Sequence, residues 1–488
     1  MTLTLYNTLT NCLESFEPLE QGKVTMYCCG ITAYDYCHLG HARTCIIWDV
    51  VRRYLCWCGY EVKYVQNFTD IDDKILNRAR REHSSMEAVA ERFIQAYFED
   101  MEQLNVQRAD LYPRATHTLN GIQRLVSELE AKGYAYESGG DVYYAVRRFN
   151  VYGKLSGRKL EELQAGASGR VALDNPGAPQ KRDPFDFALW KSAKTDEPSW
   201  ESPWGQGRPG WHIECSAMVR DCFGDTIDMH MGGSDLIFPH HENEIAQSEA
   251  ASGKPLANYW LHNGMVKVGG EKMSKSLGNF TTIRDLLDSV EPMAVRLFIL
   301  QAHYRKPLDF TDEALAAATN GWETLQEGLL FGLRYGQQLG WGNNLANSSV
   351  DIANTYKKRF QQAVDNDLNF AEGLAILFEL AKELRKAGNL LVHQAELGIP
   401  SETLQAQWQT LIELSQVMGL ETKEHPPDET NLTLDEVTIE SLIDQRTTAR
   451  KAKDFTESDR IRDQLKAQGV LLIDQPGGVT TWHRGNPE

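Results

Sequence analysis

The chain has 488 residues, 42% of them apolar, which is enough for about three domains with cores of their own. Its formal charge of −18 argues against general polyanion binding, because that needs lysine and arginine across the contacting face. Nine cysteines, with no basic-then-apolar start and no apolar run near the ~18 residues of a membrane span, predict a cytoplasmic protein whose thiols are reduced or hold metal.

In chain order, residues 24–29 read as a short buried strand ended by Gly30, and 38–58 has the apolar spacing of a helix. A strand over 62–68 follows, then helices over 72–81 and 86–104. This alternation predicts an α/β fold with a parallel, Rossmann-like sheet. Between 133 and 209 the pattern loosens, with a Gly/Ala/Pro-rich stretch at 166–179, and reads as an insertion between two halves of the sheet. Alternation resumes with a helix over 212–222, a strand over 226–229, a helix over 239–251 and a strand over 259–262. Long amphipathic helices over 313–335, 352–364, 370–393 and 403–417 predict a helical bundle. Beyond it come a linker with Pro426-Pro427, a helical region over 434–466 broken near Asp454, and two short strands at 470–473 and 479–483. The predicted divisions are 1–132 and 210–308 for the two halves of the sheet domain, 133–209 for the insertion, 309–421 for the bundle, 422–434 for the linker and 435–488 for a small α+β tail.

Two motifs carry the chemistry. His38-Leu39-Gly40-His41 sits where a strand passes into a helix, so both rings lie on one face of the first turn, over the free N–H groups and positive dipole end that suit phosphate. Gly40 leaves room for a flat ring or a phosphate to approach. Lys272-Met273-Ser274-Lys275-Ser276 lies between Gly269-Gly270 and Gly278, so two lysines stand on a loop able to close on a triphosphate as charge develops at the α-phosphate. The pair predicts ATP-dependent adenylation of a carboxylic acid, and leaves the acid undetermined.

With these motifs the chain resembles the class I aminoacyl-tRNA synthetases. The segments Met26-Tyr27-Cys28-Cys29-Gly30-Ile31-Thr32, Asn67-Phe68-Thr69-Asp70-Ile71-Asp72-Asp73-Lys74, Pro209-Gly210-Trp211-His212-Ile213-Glu214-Cys215 and Phe238-Pro239-His240-His241-Glu242-Asn243-Glu244 are similar to the cysteinyl-tRNA synthetase family, over essentially the whole chain. Alternation along a strand lets only one of Cys28 and Cys29 face a pocket. His240 and Glu244 stand four apart on one helical face. The resemblance implies that Cys29, Cys215, His240 and Glu244 hold one zinc ion per subunit, and that Gly30, Thr69 and Trp211 form the cysteine pocket. It further implies contact of His38, Gly40, His41, Lys272 and Lys275 with ATP, and a ribose-binding Asp235 after Gly232-Gly233, beside a Met231 where relatives carry glycine. Zinc binds a thiolate well and a serine hydroxyl poorly, so a pocket of this kind needs no second, hydrolytic site. Magnesium is expected with ATP.

The acidic chain confines any RNA contact to a local basic surface. Arg446, Arg450 and Lys453 fall on one helical face of the tail, and Trp482 reads either as a stacking platform for an unpaired base or as a core residue. The implied partners are tRNA(Cys), ATP and L-cysteine, with no membrane, and the chain is expected to act as a monomer.

Overall fold

The computed structural model describes residues 2–162, 181–195, 197–269, 271–272, 281–341, 347–422, 436–452, 454–467, 470–474 and 480–484. The expectations for residues 166–179, 273–276, 423–434 and Lys453 lie outside the described residues. The chain divides into two compact units, Met1–Thr422 and Lys423–Glu488.

The first unit is organised by four parallel strands: β1 (Lys23–Cys28), β2 (Glu61–Gln66), β3 (Ile227–Gly233) and β4 (Ala257–Asn263). They lie in the order β4-β3-β1-β2, with Met26 opposite both Tyr64 and Met229. Helix α1 (Leu39–Trp57) connects β1 to β2, and two further helices, α2 (Trp211–Phe223) and α3 (Glu242–Ser252), flank β3. Strand alternation divides the side chains. Met26 and Cys28, Met229 and Met231, and Tyr259 and Leu261 bury themselves in one core with Cys45, Ile46 and Trp48 of α1. Tyr27, Cys29 and Trp260 point to the other face and join Cys215 and Met218 of α2 and Ile245 of α3. Each such side chain contributes about 1.5–3 kcal/mol on burial, so a one-residue slip of register would exchange the two faces and cost most of both cores. The order reverses between β1 and β3, and open sheets of this kind bind ligands at such a switch point, beyond the carboxyl ends of the strands.

The stretch that reads as loosened in sequence holds a sheet of its own. Ala135–Ser138, Asp141–Tyr144, Phe187–Ser192 and Gly207–Pro209 form four antiparallel strands. The strands are short and separated by 42 residues at the widest gap in this set, between 144 and 187, so local periodicity gives little sign of them. Tyr144 stacks on Phe187 at 4.9 Å, and Leu189 and Trp190 pack with Ile213 and Ala217 of α2. The fully buried Glu242 accepts backbone N–H groups from Gly153, Leu155 and Ser156, which pins the start of α3 to this insertion.

Helices Asp312–Tyr335, Asn347–Asp365, Phe370–Val392 and Ser401–Val417 build the bundle. It is seated on α1 by a buried node: Arg296 reaches the Asp49 carboxylate and donates from Nε to the Met418 carbonyl at 2.8 Å, while Arg53 donates to Asp49 at 2.9 Å. Among the described residues no helix is long and apolar enough to cross a membrane. The second unit pairs helices Glu436–Lys451 and Phe455–Ala467 with an antiparallel hairpin, Val470–Asp474 and Thr480–Arg484, over a core of Ile439, Ile443, Ile461 and Leu465.

Candidate active site

The turn at His38 closes on itself. His38 is the N-cap of α1, and its Nδ1 accepts from the backbone N–H of Gly40 at 3.0 Å and of His41 at 3.4 Å. His41 Nδ1 accepts in return from the His38 N–H at 3.2 Å, a capping box made of two imidazoles. The rings stack at 3.8 Å between centroids. Since Nδ1 of each ring is an acceptor, each ring in its neutral form carries its proton on Nε2. A Cβ on residue 40 would lie 2.8 Å from His38 Cε1, so the space that Gly40 leaves belongs to the His38 ring, where the sequence suggested space for a ligand.

The chain on both sides of the second motif is described, and its downstream side returns to this turn. Lys272 ends a two-residue strand, Glu271–Lys272, that pairs with Val266–Val268. Past the signature segment, Thr282 forms a bridge with His38, and the Ile283 N–H donates to the Cys37 carbonyl at 2.9 Å. The two flanks of the lysine segment are thus a strand of the neighbouring small sheet and the His38 turn itself; Lys275 lies outside the described residues.

On the opposite face, one step beyond β1, lies a cluster built from three elements. Cys29 Sγ is 3.8 Å from Cys215 Sγ on α2 and 3.3 Å from Glu244 Oε1 on α3. His240 Nε2, from the wide turn Ile237–His241 that leads into α3, is 3.0 Å from the same oxygen. The four ligand atoms lie within 4.8 Å of one another and all four residues are buried. Four ligands at ~2.0–2.3 Å from a tetrahedral zinc stand about 3.3–3.8 Å apart, so the set fits such an ion. Its electrostatics fit as well. The Cys29 contact brings the Cys215 thiol down to about 6 with help from His240, whereas burial raises Cys29 well above the ordinary range. Glu244, against its burial, is held well below the carboxylate range by His230 and His240, and in return Glu244 and Cys215 overcome burial to raise His240 to about 10. A divalent cation binds thiol and imidazole ligands of this kind in competition with protons. A second set, Cys29, His230, His241 and Glu244, meets the same geometric condition, but it offers one thiol where the first offers two. Sulfur-rich sets suit zinc better, and His230 is already engaged on the far oxygen, Oε2, at 2.9 Å.

Cys28 and Cys29, and the neighbouring His240 and His241, separate by their buried partners. Cys28 belongs to the α1 core, away from the cluster. His241 directs Nδ1 to His262 Nε2 at 2.8 Å, and His262 in turn meets Thr8 Oγ1 at 2.8 Å. Burial lowers both rings, His262 to about 3, so they are neutral.

The other residues expected at the site gather at the same strand ends. Gly30 donates its N–H to Asn67 Oδ1 at 2.9 Å, and a Cβ there would sit 1.7 Å from the Asn67 carbonyl oxygen, so the chain beyond β1 can pass the chain beyond β2 only with glycine. Thr69 is buried, and its N–H donates to Ile31 at 3.0 Å. Trp211, at the start of α2, stacks on His240 at 4.2 Å. Asp235 is exposed in the turn after β3, and Met231 points into the α1 core, away from the face that carries His230. In the tail unit, the expectation of one exposed basic face needs correction. Arg446 is buried, with Nη1 donating to Thr480 Oγ1 at 3.3 Å in the hairpin. Arg450 is exposed, and Trp482 packs against the tail core. Sequence reasoning missed His230, His262 and Glu214. The available signal was polar residues embedded in buried strands or beside a thiol, which is weak without knowledge of which faces meet.

A doubly flanked parallel sheet with a His-x-Gly-His cap beside its switch point, an inserted domain and a following helical bundle has the architecture of class I tRNA synthetases. Residues 15–320 match the family model of tRNA synthetases class I (C) catalytic domain, and residues 359–423 match the DALR domain. The chain is 72% identical over 487 residues to the cysteine–tRNA ligase of Gloeothece citriformis, covering 99% of this chain and 100% of that one. It is 66% identical over 484 residues to the cysteine–tRNA ligase of Synechocystis sp., with the same coverage. Among solved structures, Mycobacterium tuberculosis methionyl-tRNA synthetase with methionyl-adenylate shares the fold at a TM-score of 0.57 and 17% identity, over 82% of this chain and 90% of that one. The chain belongs to the cysteine–tRNA ligase family of class I tRNA synthetases, and is an enzyme of that class.

Proposed function

We propose that the enzyme activates L-cysteine with ATP and transfers it to tRNA(Cys), with one zinc ion held by Cys29, Cys215, His240 and Glu244. The observation that carries the reading is the convergence of two thiols, an imidazole and a carboxylate at the switch point of the sheet. When bound, the ion supplies a soft Lewis acid that takes a thiolate in preference to a hydroxyl.

The chain's own residues do the rest by positioning and electrostatics. A carboxylate oxygen of cysteine attacks the α-phosphorus of ATP and pyrophosphate leaves; a ribose hydroxyl of the terminal adenosine then attacks the acyl carbon and AMP leaves. His38 and His41 donate from Nε2 to the triphosphate at the α1 N-terminus, beside Gly40, and their mutual cap fixes both rings before ATP arrives. Lys272 and Lys275 offset charge at the α-phosphate, Asp235 accepts from the ribose hydroxyls, and magnesium accompanies ATP. Gly30, Thr69 and Trp211 shape the cysteine pocket. In this reading residues 309–421 bind the tRNA body and 435–488 its anticodon region, with Arg450, Lys453 and Trp482 as contacts. Buried Arg446 shapes that surface from beneath. The enzyme acts as a cytoplasmic monomer.

The test is cysteine-dependent exchange of pyrophosphate into ATP, followed by charging of tRNA. Exchange without charging would reassign the acceptor, and absence of exchange would overturn the activity.

A further inference from the structure

Resting on that reading, we infer that Arg43 and Asp367 are positioning residues, which hold the strand ending at Lys272 against the helix headed by His38. They do so by clamping one short segment, His303-Tyr304-Arg305-Lys306, from two sides.

One side is Arg43, on α1 two residues after His41 and wholly buried. Among the described residues no carboxylate pairs with it, and its guanidinium is directed to backbone carbonyls instead. Nη1 donates to Met265 at 3.0 Å, and Nη2 donates to Tyr304 at 3.1 Å, to Lys306 and, at 3.5 Å, to His303. A buried cation is costly unless its donors are satisfied, and reaching carbonyls of two segments takes the planar fork of arginine, which lysine lacks.

The other side is Asp367, in the turn between the bundle helices Asn347–Asp365 and Phe370–Val392. It is 3% exposed. Its Oδ1 accepts from the Tyr304 hydroxyl at 3.0 Å and from the Tyr6 N–H at 2.9 Å. Its Oδ2 accepts from Arg305 Nε at 2.7 Å and also from Nη2, and lies 3.5 Å from His303 Nε2. Asp367 and Leu368 both have φ of 54°, a left-handed backbone that such residues keep only where their surroundings hold them. The turn is therefore shaped to present this carboxylate.

The clamped segment leads directly into the small sheet of the second motif. The Tyr304 carbonyl also accepts from the Gly264 N–H at 2.8 Å, and a Cβ on residue 264 would lie 2.4 Å from the Lys306 carbonyl oxygen. Strand Leu308–Phe310, next in the chain, runs parallel to Val266–Val268, which sets Lys267 opposite Lys272. A shift of residues 303–306 thus moves the upstream flank of the lysine segment relative to α1. Misplacement by about 1 Å can cost an enzyme ~10²-fold in rate, even when its origin is remote from the reacting atoms.

The experiment uses the full-length zinc-loaded enzyme and reads kcat of pyrophosphate exchange per cysteine-binding site, with sites counted by calorimetric titration with cysteine. An unfolded fraction lowers the count of sites but not the rate per site. D367N keeps the size of the side chain and an acceptor for Tyr304 while releasing Arg305; its kcat per site falls by about 10-fold or more. KM for cysteine and zinc per chain stay within about 2-fold of wild type, because the thiol-reading cluster lies on the opposite face of the sheet. Y304F, which removes one hydroxyl, lowers kcat per site by about 3-fold, the scale of a single hydrogen bond. R43K lowers it by about 10-fold, and the double variant R43K/D367N falls by less than the product of the two, since both release the same segment. Y54F is the control: it removes the hydroxyl that joins α1 to Asp365 in the same turn, without contact to residues 303–306, and leaves kcat per site within about 2-fold. Unchanged kcat per site in D367N and Y304F, strict multiplication in the double variant, or an equal fall in Y54F would overturn the assignment. Absence of cysteine-dependent exchange in the wild type would instead overturn the activity on which it rests.

Discussion

The His38 turn and the Glu244 cluster both include imidazoles, but they are built in opposite ways. The turn is four consecutive residues, half-buried, whose rings and N–H groups satisfy one another within a single helical turn. The cluster takes Cys29, Cys215, His240 and Glu244 from three elements, wholly buried, and its like groups are held together only by the packing of α2 and α3 on the sheet. A local device of the first kind survives changes elsewhere and loses function when its own residues change. An assembled device of the second kind depends on every element that supplies a ligand.

Substitutions test that contrast. The largest effect is expected for Cys215→Ser, which removes the thiol already poised near pH 6. Zinc per chain should fall well below one by atomic absorption, and kcat/KM for cysteine should drop by more than ~100-fold, beyond the range seen when only a supporting partner is lost. Zinc retained in this variant would move the site to the His230 and His241 set. At the turn, His38→Ala should lower kcat of pyrophosphate exchange by about 10²-fold through loss of one donor to developing charge, and lower stability by roughly 1 kcal/mol through loss of the cap. His38→Asn keeps a capping acceptor, so thermal unfolding should return to the wild-type midpoint while kcat stays low; recovery of both would reduce the turn to a structural cap. In either variant zinc content should be unchanged. The smallest effect belongs to His230→Gln, which weakens the hydrogen bond that orients Glu244: zinc affinity should fall about 10-fold, within the 10–100-fold range for such partners. A loss as complete as in Cys215→Ser would make His230 a ligand.

The same contrast explains what could be read in advance. The strands and helices of the sheet were legible because period-2 and period-3.6 patterns are local, and 24–29, 38–58 and 62–68 match β1, α1 and β2 within two residues at each end. The insertion was not, because its four short strands are closed by partners far along the chain. The basic face of the tail was misjudged at Arg446 for a related reason. Helical spacing says which residues share a face, but not whether a hairpin covers that face.

By itself, then, the sequence determined the parallel α/β plan and the His38–His41 turn, each fixed by neighbours within a few positions. It also supplied, through likeness to a family, the names of four candidate ligands. Only the tertiary structure decided that Cys29 and Cys215, 186 residues apart, meet at 3.8 Å, that Cys28 turns to the other core, and that Glu214 ends beside Thr69. Those facts depend on which faces of the sheet the helices cover, and that choice is made by the sum of many buried contacts, none of them local.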